Sequence, residues 1–128
     1  MNNNKASAWN ILGRYSESIV LLEKCLRYRE KDYFYKNLGD AYYSISIYEK
    51  AIYNYEKALK LNDHHDEAHY NLAVCLYIQE NYQFAKLSIL KAIEINSSNE
   101  SYHELSRNID TRINHYWRLT SLMSLFYS

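Results

Sequence analysis

The sequence predicts an all-α fold, an α-solenoid of about three stacked helix–turn–helix hairpins closed by a C-terminal capping helix. Three observations carry that expectation. The 128 residues include no proline and two glycines, too few turn formers for the corners of a sandwich or barrel. Large and small apolar residues recur at i, i+3, i+4 and i+7, the spacing of one helix face. The whole pattern then returns with a period of 34 residues, as in an array of like units.

The period is read by setting "DYFYKNLGDAYYSISIYEKAIYNYEKALKLNDHH" (32–65) on "DEAHYNLAVCLYIQENYQFAKLSILKAIEINSSN" (66–99). Nine of 34 positions are identical, among them Asp32/Asp66, Asn37/Asn71, Ala51/Ala85, Ala58/Ala92 and Asn62/Asn96. Gly39 falls on Ala73, so a small slot is kept as well. A weaker copy lies upstream at a shift of 33, where "YSESIVLLEKCL" (15–26) matches "YEKAIYNYEKAL" (48–59) and places Ser18 and Cys25 in small slots. Residues 1–31 therefore form a partial unit that lacks its expected first turn.

Within the unit at 32–65, Tyr35, Leu38, Gly39 and Tyr42 share one face of a first helix near 32–45. Ala51, Ile52, Tyr55, Ala58 and Leu59 share one face of a second near 48–61. "SISIY" between them has no strong breaker, so the turn is placed by pattern alone. The next unit gives helices near 66–79 and 82–95, with Asn81 as an expected cap. Two helices approach to ~8–10 Å only where some facing side chains are small. Gly39 and Ala51 let the hairpin close, and Ala58 lets the next one stack. One hairpin cannot bury its own apolar face, so the units must pile up.

After Asn99 the spacing changes: Arg107 and Leu119 fall where small residues are due. Ser97 with Glu100 has the form of a capping box, and Tyr102, Leu105, Ile109, Ile113 and Tyr116 make a helical stripe. Residues 100–113 suit a terminal helix with a polar outer side. The segment Trp117–Tyr127 is surplus and apolar. It either bends near Asn114 and folds back, or it projects and meets another surface.

The pattern "NLGDAYY…YEKAIYNYEKALKLN" resembles the tetratricopeptide repeat. Leu38, Gly39, Tyr42, Ala51, Tyr55 and Ala58 match its large and small slots, as do Leu72, Ala73, Leu76, Ala85, Ile89 and Ala92 one unit on. The resemblance is firm over 32–99 and loose over 1–31. It departs where Asp63 and Ser97 stand in place of the closing proline. It implies three such hairpins over residues 1–99 (1–31 partial, 32–65, 66–99), then the capping helix and apolar tail of residues 100–128. It also implies that first helices line a concave groove for an extended peptide. Residues facing that groove would be Tyr33, Lys36, Asn37, Asp40, Tyr43 and Ser44, and then Glu67, Tyr70, Asn71, Val74, Tyr77 and Ile78.

Asn37 and Asn71 occupy one slot a period apart, with Asn4 on it in the partial unit. A row of amides can pair with a peptide backbone whatever its side chains, and some members of this family use such a ladder. Asn and Tyr are abundant in this chain, so a purely structural origin for both rows is the plainer alternative. Members that grip chaperone C-termini carry a Lys and an Arg where this chain has Glu67 and Asn71, so the resemblance argues against that ligand.

Other function classes find little support. Net charge is zero, with 15 basic and 15 acidic residues, and no block is basic enough for a nucleic-acid backbone. Cys25 and Cys75 are too few for a disulfide framework and read as small buried thiols. "DHHDEAH" (63–69) sets His65 and His69 four apart but offers no convincing third metal ligand, His103 being the remote candidate. It reads as a polar helix start with Asp63 or His65 near the cap. No nucleophile elbow or phosphate loop is visible, so no catalytic residue, metal or cofactor is expected. The expectation is a soluble, cytoplasmic, non-catalytic module with a protein or peptide partner and neither nucleic acid nor membrane. The competing expectation is self-association, as a dimer or by helix exchange, through Trp117, Leu122, Met123 and Phe126.

Overall fold

The computed structural model describes residues 3–127, with side chains from Leu12 to Tyr127. Among the described residues six helices follow one another: α1 (Asn3–Tyr28), α2 (Asp32–Ser44), α3 (Tyr48–Leu61), α4 (Asp66–Ile78), α5 (Tyr82–Ile95) and α6 (Glu100–Tyr127). Each packs on the next, and α2, α4 and α6 also touch in series. The array is therefore two-layered, with α2, α4 and the first half of α6 side by side on one surface. The side chain of Asn4, the expected start of the asparagine row, lies outside the described residues.

Small residues make the close contacts that the pattern called for. Ala51, Ala58, Ala73, Ala85 and Ala92 are fully buried. A Cβ at Gly39 would stand 2.5 Å from Tyr55 Cε1, so the α2–α3 hairpin closes on the flat of that ring. Tyr55, Ile89 and Ile109 are the large side chains sealed from water, worth ~1.5–3 kcal/mol each. Two clusters result, one of Ala51, Tyr55, Leu72 and Cys75, the other around Ala85, Ile89, Tyr102, Leu105 and Ile109. Cys75 is buried as expected, whereas Cys25 is only partly covered.

Both hairpin turns have one geometry. Ser46 (φ 64°) and Glu80 (φ 63°) occupy the left-handed region. Ile47 N–H donates to Tyr42 O and Ser46 N–H to Tyr43 O; Asn81 N–H and Glu80 N–H repeat this toward Leu76 O and Tyr77 O. These bonds satisfy the orphan carbonyls at each helix end. Pattern alone left the turn without a breaker because a serine and a glutamate hold a position that usually goes to glycine.

Caps differ in part from expectation. The Asn81 side chain makes no capping bond. His65 does cap α4, its Nδ1 accepting from Ala68 N–H at 3.3 Å. At α6 the cap is Asn99, whose Oδ1 accepts from Ser101 and Tyr102 N–H, and not the Ser97–Glu100 box. His69 Nε2 meets Asp63 O at 2.8 Å, and one period on His103 Nε2 meets Ser97 O at 2.7 Å. The repeat thus persists into α6, which starts as the first helix of a fourth unit. Arg107, at the slot that should be small, is exposed and bonds Glu100 at 2.9 Å, since no second helix needs to close there.

The identical Asp/Asn pairs also have a structural reason. Asn62 Nδ2 donates to Asp32 Oδ2 at 3.1 Å, and Asn96 Nδ2 to Asp66 Oδ2 at 3.3 Å. Each joins the end of a hairpin to its beginning. Lys86 binds α5 to α6 through Ser106 Oγ (2.7 Å) and Asp110 Oδ2 (2.9 Å). α6 then runs unbroken through Asn114 to Tyr127, the projecting course of the two that the sequence left open. Its second half leaves the body, with Trp117, Leu122, Met123 and Phe126 more than half exposed. Among the described residues, no helix is long and apolar enough to cross a membrane.

Candidate functional site

The surface formed by α2 and α4 gathers most of the side chains singled out in the sequence. Asp40, Tyr43 and Ser44 of α2, with Tyr70, Asn71 and Val74 of α4, line a cavity of about 340 Å³ whose floor is Tyr55 of α3. Helical spacing does this: 40, 43 and 44 lie on one face of α2, and 70, 71 and 74 on the matching face of α4. Tyr33 and Glu67 flank this region and are exposed. Tyr77 is half-buried against Tyr82, ring centroids 5.6 Å apart, and Ile78 stands exposed at the end of α4.

Asp40 organises the cavity. Its Oδ1 accepts from the Tyr55 hydroxyl at 2.6 Å and from Asn71 Nδ2 at 2.9 Å. Its Oδ2 lies 2.8 Å from Lys36 Nζ, which also reaches Glu67 Oε2 at 3.2 Å. Burial alone would lower the Lys36 ammonium, but the bonds to Asp40 and Glu67 outweigh it and hold Lys36 above its ordinary value. Burial, and next the bond to Asp40, pushes the Tyr55 phenol far upward, so it stays a donor at any working pH. Cys75 behind it is pushed up to about 12, chiefly by burial, which leaves a protonated, unreactive thiol.

The two asparagines do not share one environment. Asn71 is tied to Asp40, while Asn37 is exposed and lines a neighbouring cleft of about 400 Å³ with residues of α1, Tyr15 and Leu22 among them, the two hollows meeting at Asp40. The period thus predicts the slot but not its surroundings. The part sequence reasoning missed is Tyr55. The pattern assigns it to the apolar face of α3, yet its hydroxyl reaches Asp40 in the cavity, and the available signal is a tyrosine where the next unit has Ile89.

Comparison with known proteins agrees with this architecture. A model described as "TPR repeat" matches residues 39–79 and one described as "Tetratricopeptide repeat" matches residues 66–99. No curated protein matches the chain in sequence. Among solved structures, the Sgt2 TPR domain from Aspergillus fumigatus is similar with a TM-score of 0.77 at 22% identity, covering 90% of this chain and 76% of that one. The first TPR domain of human RPAP3 gives 0.76 at 18% identity, over 88% of this chain and 89% of that one. The first TPR of Spaghetti (RPAP3), solved bound to HSP90 peptide SRMEEVD, gives 0.75 at 18% identity, over 87% and 89%.

Proposed function

Because the chain belongs to the tetratricopeptide repeat family, we propose that it is a non-catalytic interaction module holding an extended segment of a partner protein along α2 and α4. The observation that carries this reading is the cavity between those helices, open to solvent and built from polar and aromatic side chains of two successive units. Asn71 donates one N–H to Asp40, which fixes the amide and turns its remaining N–H and carbonyl oxygen to a ligand backbone. Tyr43 and Tyr70 add broad contact area at low entropy cost. The structural neighbour solved with a bound peptide supports the class of ligand. Its acidic sequence does not transfer, because Glu67 and Asp40 face the same region here and repel carboxylates.

The test is to capture partners on the immobilised chain and identify the bound segment by mass spectrometry. That segment is then titrated into the wild type and into Asn37→Ala/Asn71→Ala. Weaker binding with helical circular dichroism intact is expected; undiminished binding removes the groove assignment. A second reading is favoured by one observation, the unbroken run of α6 to Tyr127 with Trp117 55% and Phe126 82% exposed. On this reading residues 117–127 pair two copies of the chain. Light scattering on chains with and without residues 117–128 decides it, and a monomer in both cases rejects it.

A further inference from the structure

We propose that the cavity between α2 and α4 receives a cationic side chain, arginine in the first place, from the bound segment. This rests on the groove reading and names what the groove selects.

The charges are uneven. Lys36 is the one ammonium shared between Asp40 and Glu67, at 2.8 and 3.2 Å, so the centre of the surface is one positive charge short. A carboxylate offers about four acceptor positions. Asp40 uses two at Oδ1, for Tyr55 and Asn71, and one at Oδ2, for Lys36. The fourth remains, at a carboxylate that lines the cavity.

The walls fit the same ligand. Tyr43 and Tyr70 line the cavity with aromatic rings, which attract a guanidinium or ammonium, and Val74 adds apolar surface for its methylene stem. About 340 Å³ is at the small end of ligand cavities, enough for one long side chain. A leucine there would strip water from Asp40 without replacing it, which is costly. A glutamate would add a third carboxylate to a site with one ammonium. The cation alone completes both the charge and the hydrogen bonding.

The test uses the full chain, ¹⁵N-labelled, and capped pentapeptides Gly-Ser-X-Ser-Gly in which X is Arg, Lys, Gln, Leu or Glu. The Arg peptide is expected to move the amide signals of Asp40, Tyr43, Ser44, Asn71 and Val74 and to bind about tenfold tighter than the Gln peptide, the scale of an ion pair with a ring contact. Asp40→Asn should abolish that preference. Glu67→Gln changes an exposed residue that reaches the core only through Lys36, and it should reduce the preference in a chain that still folds. Equal binding of all five peptides at these signals would overturn the inference and leave the groove reading standing. Failure of every peptide to move them would overturn both.

Discussion

The Tyr55 hydroxyl donates to Asp40 Oδ1 at 2.6 Å, joining the floor of the inner surface to the charge at its centre. Tyr55 is also the ring on which Gly39 closes the hairpin. One side chain thus serves packing on its flat and polarity at its tip. Tyr55→Phe keeps the ring and removes the bond. Since hydrogen bonds to charged groups are worth ~1.5–3 kcal/mol, a loss of about 2 kcal/mol in urea unfolding is expected. Helical circular dichroism before the transition should not change.

Gly39→Ala tests the close approach directly. A mid-helix alanine would normally gain ~1 kcal/mol over glycine. Here the new methyl meets a ring that is 1% exposed and anchored at its hydroxyl, so it cannot swing aside. Overpacking costs ~1–3 kcal/mol, and a net loss of about 1 kcal/mol is expected. A variant more stable than the wild type would show that the ring yields.

The turns offer the opposite effect. Ser46 and Glu80 hold left-handed backbone, which costs a residue with a Cβ ~1–2 kcal/mol. Ser46→Gly and Glu80→Gly should each raise stability by about 1 kcal/mol, less the entropy that glycine adds to the unfolded chain. Thermal melting of the two single variants and the double variant checks the size and the additivity.

Acid should reach the structure through Asp66. Its own burial would raise it, but donation from the Tyr102 hydroxyl at 2.9 Å and from Asn96 outweighs that and holds it below the ordinary carboxylate range. A carboxylate lowered by folding stabilises the protein above its unfolded pKa, ~3.9, and loses that contribution as pH falls through the lower, folded value. Stability should therefore decline below about pH 4. Asp66→Asn should be less stable at neutral pH and flatter across that range, as read by urea midpoints at successive pH values.

The sequence by itself determined the helices and their order. Alternating small and large residues at helical spacing, repeated every 34 positions, admit one way of burying every apolar face, so α2 to α5 fall within a residue or so of expectation. It also determined which positions of successive first helices correspond, because a fixed period keeps Asn37 and Asn71, or Tyr43 and Tyr77, in one register. Only the tertiary structure decided how those side chains differ. Asn37 and Asn71 share a slot, yet one lines a cleft with α1 and the other is bound to Asp40, since the single long helix α1 packs beside the first and the α2–α3 hairpin beside the second. Tyr55 reaching Asp40 depends on a contact 15 residues apart, which local pattern does not encode. The left-handed serine and glutamate in the turns and the unbroken run of α6 past Asn114 carry no residue type that announces them.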